Sequence, residues 1–227
     1  MRATRPPSKP PVRPGKRLFD IVLALILLVP GLPAMAIIAV IILLRDGRPV
    51  LFVSERMRAP GQAFRLYKFR TMSLSDDLSI IRPLGGDQVH RVTPIGRVLR
   101  RTRLDELPQL FNVLKGDISF VGPRPPLRKY VEAYPEIYAR VLATPPGITG
   151  LATVLYHAHE EWILGQETSA EATEAAYRRR CVPWKAHLDI LYQQKQSLGL
   201  DLYLIVLTSA KILPLPGKRA ARLRGHK

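Results

Sequence analysis

Cysteine is nearly absent: Cys181 stands alone in 227 residues, so no intramolecular disulfide can form and the fold rests on packing. A lone thiol suits a domain facing a reducing compartment. Acidic side chains are scarce as well, 18 Asp and Glu against 35 Lys and Arg, and the surplus is uneven. Residues 1–104 hold nineteen basic and six acidic side chains, which puts most of the +17 charge in that part. No G-x-x-x-x-G-K-[ST] and no G-x-G-x-x-G occurs, so phosphate-loop and dinucleotide fingerprints are excluded. His157 and His159 with one cysteine make no zinc pattern and are expected to be ordinary surface histidines. Internal repeats are lacking.

One long apolar run is present. Ile21 to Leu44 carries no charge over 24 residues, and as a straight helix it would reach roughly 36 Å, enough for a hydrocarbon core of about 30 Å. Basic charge attracts nucleic acid and anionic lipid alike, but a nucleic-acid module has no use for this run. A nucleic-acid-binding or scaffolding protein without catalysis is the alternative that charge alone permits.

Within the run stand Pro30, Gly31 and Pro33. A signal peptide would cleave near Ala34-Met35-Ala36 and leave an apolar new terminus. A straight span would carry two interior prolines, each costing about 3 kcal/mol. Cations flank both ends: Arg13, Lys16 and Arg17 before, Arg45, Arg48, Arg56 and Arg58 after. Such cations mark the cytoplasmic side. The run is therefore expected to be a re-entrant helix-break-helix hairpin over 16–46, entering one leaflet and returning, with Pro30, Gly31 and Pro33 as the break.

Residues 1–15 are expected to be a disordered basic arm and 214–227 a basic tail. "PVLFVSERM" and "AFRLYKFRTM" suit two extended segments around Pro60-Gly61, and "DDLSIIRPLGGDQVH" suits a loop. "IGRVLRRT" gives helical signals. In "TRLDELPQLFNVLKGDISFVGPRP", Leu107, Leu110, Phe111 and Leu114 share one face of a short helix that ends at Lys115-Gly116. Pro108 belongs in its first turn, which predicts a start near Leu107 with Asp105 and Glu106 at the N-terminal end. The helix start and Arg100, Arg101 and Arg103 favour ionised carboxylates there. Adjacent residues do not share a face, so separate roles are expected, although mere capping and pairing with arginines is an equally open account.

Arg124 lies between prolines in "GPRPP", a setting for a guanidinium to meet a phosphate, and "PPGITG" is a second rigid loop. Glu160, Glu161, Glu167, Glu171 and Glu174 suit a solvated helix face. "WKAHLDILYQQKQ" suits a helix containing Asp189. Residues 198–213 suit an interfacial helix rather than a second span.

"KRLFDIV", "YKFRTM", "LDELPQLFNVLKGDISFVGPRP" and "PGITGLA", in this order, resemble the bacterial sugar transferase family, the membrane-monotopic polyprenyl-phosphate phosphoglycosyl transferases, in their small single-domain form. The resemblance covers about Lys16 to Lys211. It implies an α+β, mostly helical catalytic domain over 47–213 on the cytoplasmic face of a bacterial inner membrane. It implies transfer of a phosphosugar from a nucleoside diphosphate sugar, usually a UDP-sugar, to undecaprenyl phosphate, with release of the nucleoside monophosphate and a requirement for Mg²⁺. Surface-glycan synthesis would begin at that step, with membrane lipids as partners, no nucleic acid, and a homodimer left open.

By residue, the resemblance makes Asp105 the nucleophile and a ligand for Mg²⁺, with Glu106 its acidic partner. Lys68, Arg100 and Arg124 match phosphate-associated cations, Asp189 a C-terminal acidic position, and Pro33 the helix-breaking proline. Leu32, Arg58 and Arg103 depart from the usual serine, glycine and serine. Thr153 replaces the usual glutamine, and Leu155-Tyr156-His157 a segment that often reads Gly-Arg, so sugar and nucleotide specificity are left open.

Overall fold

The computed structural model describes residues 12–73 and 91–212. Most of the basic arm, the loop at 74–90 and the basic tail lie outside the described residues. Helix α1 (Pro14–Asp46) opens with proline in its first turn and is followed by Gly47 at φ 75°. It runs unbroken through Pro30, Gly31 and Pro33, so the expected split into two helices is not seen. The two prolines sit one turn apart, so the backbone bonds they forgo, to Ile26 and Val29, are confined to one stretch of the helix.

The helix buries one stripe along its whole length: Lys16, Asp20, Ala24, Leu28, Gly31, Met35, Ile38 and Ile42. The spacing of three and four is the inward face of a helix. Ala24, Leu28, Met35, Ile38 and Ile42 share a core with Phe64, Leu66, Leu110, Val113 and Val121. The opposite face exposes Leu18, Leu25, Ile26, Val29, Leu32, Ile37 and Leu44.

Strands β1 (Leu51–Ala59) and β2 (Gln62–Phe69) form the antiparallel hairpin expected around Pro60-Gly61. Helix α2 (Pro94–Thr102) has Thr93 as N-cap, whose hydroxyl accepts from Gly96 N, and ends on Arg103 at φ 58°. A 3-10 turn (Leu104–Glu106) precedes α3 (Gln109–Lys115). The helix therefore starts two residues later than its apolar spacing suggests: Leu110 is buried and Leu107 and Leu114 pack on the core, whereas Phe111 is exposed. Gly116, at φ 75°, closes α3 as expected.

Two loops become a small parallel sheet that spacing did not reveal, β3 (Ser119–Val121) with β4 (Gly147–Thr149). A Cβ on Gly122 would lie 2.3 Å from Pro145 O, so the backbones meet only because glycine stands there. Helices α4 (Arg128–Ala133), α5 (Pro135–Val141), α6 (Leu151–Leu164), α7 (Ala170–Ala176) and α8 (Val182–Lys195) enclose a second core around Tyr130, Tyr138, Tyr156, Cys181 and Val182. A π-helical turn (Tyr177–Cys181) joins α7 to α8. Three of the five acidic residues expected on a solvated face are engaged: Glu160 meets Lys185 at 2.9 Å, Glu161 meets His157 at 3.5 Å, and Glu174 meets Lys129, Arg178 and Tyr130.

Helix α9 (Leu198–Ile212) packs on β3, β4 and α6. With 15 residues it is too short to cross a bilayer. The architecture is α+β and mostly helical, as expected.

Buried polar contacts lock α1 to the rest. Lys16 Nζ lies 2.6 Å from Asp201 Oδ2 with both side chains buried, and the Tyr192 hydroxyl donates to Asp201 Oδ1 at 2.6 Å. Arg17 donates to the carbonyls of Val113 and Leu114 at 2.6 and 2.7 Å, which satisfies the end of α3. Arg70 does the same for the end of α1, through the carbonyls of Asp46, Gly47 and Arg48. Removing one member of a buried pair strands the other. Asp201→Ala is expected to cost about 3–5 kcal/mol, measured by denaturation in detergent; a loss under about 1 kcal/mol would contradict the buried pair.

Candidate active site

The site forms where β2, the turn 104–106 and the Gly122–Pro126 loop converge. In β2, Phe64, Leu66 and Lys68 alternate onto one face, so Lys68 follows two core residues inward. Its Nζ donates to Glu106 Oε1 at 2.7 Å. Asn112, fully buried on α3, accepts from Tyr67 N and donates to Arg65 O, which holds α3 against β2 and fixes the turn before it.

The Gly122–Pro126 loop is held from two sides. Gly122 N donates to Thr149 O at 2.9 Å, Gly147 N to Pro123 O at 2.8 Å, and Met57 N to Pro126 O at 3.0 Å. Arg124, half-exposed between them, reaches to 3.8 Å from Glu106 Oε1, and Arg103 reaches to 3.7 Å. Lys68, Arg103, Glu106 and Arg124 thus meet at one carboxylate oxygen.

Asp105 is 7% exposed, and its buried Oδ1 has no hydrogen-bond partner among the described residues. Burial pushes its carboxyl above the ordinary aspartate value, with Lys68 opposing and Glu106 adding to the rise. Arg103 and Arg100 pull the other way without prevailing. The expectation that the helix start and the arginines favour the charged form is therefore corrected: the cost of desolvation is the larger effect. Glu106 behaves oppositely. Burial would raise it, but Lys68, Arg124 and Arg103 hold it below the ordinary glutamate value. Two neighbouring carboxyls with divergent acidities suit separate roles.

Arg100 sits within the field of Asp105, with its Nε donating to Thr71 Oγ1 at 2.8 Å. Asp189 does not join the group. It lies on α8, where burial pushes its carboxyl up to about 7 against the pull of Lys185, and no hydrogen bond or ion pair links it to the residues above. His157 and His159 are exposed on α6, as expected, and His157 Nε2 lies 3.5 Å from Glu161 Oε1. A narrow cleft opens beside this cluster, lined by Arg56, Lys68, Gln109, Arg124, Pro125 and Ile148 among others.

Arg56 was legible only as a membrane-flank cation. A two-residue turn at Pro60-Gly61 in plain register would pair it with Arg65. A bulge between Met57 and Ala59 shifts the pairing, so that Arg56 faces Phe64 instead. Among the described residues no group of three His, Cys, Asp or Glu side chains could hold a metal ion.

The cleft thus presents a buried carboxylate oxygen without a partner, a cation-bound carboxylate beside it, and Lys and Arg side chains along its wall. The family described as bacterial sugar transferase matches residues 12–214. The chain is 38% identical over 204 residues to the uncharacterized sugar transferase EpsL of Bacillus subtilis, covering 89% of each chain. It is 36% identical over 203 residues to a UDP-glucose:undecaprenyl-phosphate glucose-1-phosphate transferase of Caulobacter vibrioides, over 87% of this chain and 69% of that one. It is 34% identical over 209 residues to a UDP-N-acetylgalactosamine-undecaprenyl-phosphate N-acetylgalactosaminephosphotransferase of Aeromonas hydrophila, over 90% of this chain and 45% of that one. The chain thus spans under half the length of some relatives it matches. It belongs to the bacterial sugar transferase family, and is an enzyme of the phosphoglycosyl transferase class.

The raised Asp105 carboxyl has a consequence for stability. With the folded-state value above the unfolded one, ionised Asp105 weakens folding at every pH above both, and the penalty vanishes below the unfolded value of about 4. Asp105→Asn is expected to raise the thermal midpoint at pH 7, with the difference closing as pH falls through about 4. An unchanged or lower midpoint at pH 7 would contradict a buried, charged carboxylate.

Proposed function

We propose that the protein transfers a phosphosugar from a nucleoside diphosphate sugar to undecaprenyl phosphate through a covalent intermediate on Asp105. The observation that carries this reading is the buried Asp105 Oδ1 without a hydrogen-bond partner, beside a Glu106 already saturated with cations. A carboxylate bonded by Lys or Arg is a weak nucleophile; one left unpartnered keeps its lone pairs for substrate.

In the first step an Asp105 oxygen attacks the sugar-bearing phosphorus, the bond to the bridging oxygen breaks, and nucleoside monophosphate leaves. In the second an oxygen of the lipid phosphate attacks the same phosphorus, the acyl-phosphate bond breaks, and Asp105 is regenerated as carboxylate. The two large phosphates therefore need not occupy the cleft together. Lys68 and Arg124 offset the charge of the transferring group, and Arg100 and Arg103 hold the field around Asp105. Glu106, kept ionised by its cations, positions them and can accept a proton but has none to deliver.

The donor set fits Mg²⁺ in the manner of phosphoryl-transfer sites, where one or two carboxylates and the substrate phosphates share the ion. Asp105 would hold it through one carboxylate oxygen and keep the other for substrate. When bound, the ion supplies charge neutralisation to the diphosphate.

The enzyme sits on the cytoplasmic face of the inner membrane as a monotopic protein, with α1 dipping into one leaflet. Lys16 at one end, Ala24 to Ile42 along the middle and Asp46 at the other end are all gripped by the same body. A span would set its ends about 30 Å apart across hydrocarbon, where one water-facing domain cannot hold both. The exposed apolar faces of α1 and of α9, with Leu198, Leu202, Tyr203 and Val206, support lipid contact with α9 at the interface. The acceptor's phosphate lies at that plane. This step would initiate synthesis of a surface glycan.

The test is nucleoside monophosphate release from membranes supplied with a panel of nucleotide sugars and polyprenyl phosphate. Asp105→Asn is expected to fall to background, and Glu106→Gln to lose about 10²- to 10⁴-fold. Mass analysis after donor-only incubation should show a phosphosugar on the peptide containing Asp105. Turnover by Asp105→Asn would end the nucleophile assignment.

A further inference from the structure

We propose that Arg56 is a further phosphate-binding side chain of the active-site cleft, forming with Arg124 a two-guanidinium clamp for the phosphate or diphosphate oxygens of a substrate. This inference rests on the transfer reading above and names a group that reading does not use.

The first observation is placement. Arg56 lines the same cleft as Lys68, Gln109 and Arg124. The bulge in the hairpin is what turns it there, opposite the buried Phe64.

The second observation is how poorly it is satisfied. Among the described residues no Asp or Glu oxygen lies within ion-pair distance of its guanidinium. Its hydrogen bonds are long, 3.5 Å from Nε to Ser54 Oγ and 3.4 Å from Nη1 to Pro125 O. Arg17, which serves a structural purpose, donates to two carbonyls at 2.6 and 2.7 Å. A guanidinium offers five N–H donors, so most of those on Arg56 point at nothing in the protein. Arg17 shows what a purely structural arginine looks like in this fold, and Arg56 does not match it.

The third observation is its company. Arg124 lies close enough to repel it, and burial together with that repulsion pulls the Arg56 guanidinium down to about 10. Its remaining charge neighbours, Tyr130 and Tyr177, are phenols that burial keeps neutral. Glu106, the carboxylate that Arg124 reaches, is already shared with Lys68 and Arg103. Two adjacent guanidiniums, one half-buried and without an anion, are unfavourable until an anion lies between them. Phosphate oxygens match a guanidinium fork in spacing and charge. Leaving-group phosphate, transferring phosphate and lipid phosphate all present that chemistry, and the substrates divide them experimentally.

The experiment uses the full chain in detergent. Thermal midpoints are measured with and without millimolar inorganic pyrophosphate at constant ionic strength, for the parent, Arg56→Met and Arg56→Lys. The parent is expected to rise with pyrophosphate, Arg56→Lys to rise less, and Arg56→Met to lose most of the shift while its anion-free midpoint does not fall. A parent that shows no shift overturns the clamp. So do variants that keep the parent's shift, with or without a lower anion-free midpoint.

Steady-state kinetics of Arg56→Lys then assign the source. A rise in KM of about 10- to 100-fold, the weight of a charge-assisted hydrogen bond, is expected for one substrate. A rise for the nucleotide sugar places the clamp on the donor diphosphate, and a rise for polyprenyl phosphate places it on the lipid phosphate. Unchanged KM for both overturns the proposal. Pyrophosphate binding that depends on Arg56 in a parent protein without turnover would instead sink the transfer reading and leave the clamp standing.

Discussion

The contact between Lys68 and Glu106 is the constraint on which the site depends. It crosses from the inward face of β2 to the turn at Leu104–Glu106, and so fixes the position of Asp105, which makes no hydrogen bond of its own through Oδ1. Lys68 is buried deeply enough that its ammonium is pulled down in pKa by desolvation and by Arg124, while Glu106 holds it up. Neither partner would be tolerated alone at this depth. The pair works as a buried strut: Glu106 absorbs cations that would otherwise neutralise Asp105, while burial keeps that carboxylate costly to ionise. Both properties are what the proposed nucleophile requires.

Support for this strut comes from polar contacts that treat backbone as a partner. Asn112 bonds the edge of β2 almost as another strand would. Arg17 and Arg70 close the ends of α3 and α1. The Gly122–Pro126 loop is pinned by β4 on one side and β1 on the other, which limits how far Arg124 can wander. The site is therefore built from short elements that are marginal alone and rigid together.

Local chemistry made part of this legible in the sequence. Pro60-Gly61 between two apolar-rich stretches announced the hairpin, Lys115-Gly116 announced the end of α3, and the acidic pair before an apolar periodic segment announced the turn that carries Asp105. What stayed hidden depended on distance or on competition between effects. The parallel pairing of β3 with β4 joins segments 28 residues apart and only three residues long, too short for a period to show. The acidity of Asp105 turned on burial outweighing nearby arginines, and residue counts cannot rank those two effects. The role of Arg56 turned on a one-residue bulge, which reverses the face of every residue before it. Asp189 matched a family position, and no hydrogen bond or ion pair ties it to Lys68, Asp105, Glu106 or Arg124; it is buried on α8 near Lys185.

Helix α1 has a double character with a practical corollary. Ala24, Leu28, Met35, Ile38 and Ile42 are core residues of the same cluster that supports β2, α3 and β3, even though the far side of the helix is greasy and bare. An anchor that merely tethers can be trimmed to give a water-soluble catalytic fragment. Trimming this one would uncover Leu110, Val113 and Val121 and orphan Asp201 and the carbonyls of Val113 and Leu114. Expression of the portion after α1 by itself would yield an opened, aggregation-prone chain, because the apolar helix and the support of the active site form one unit rather than separable modules.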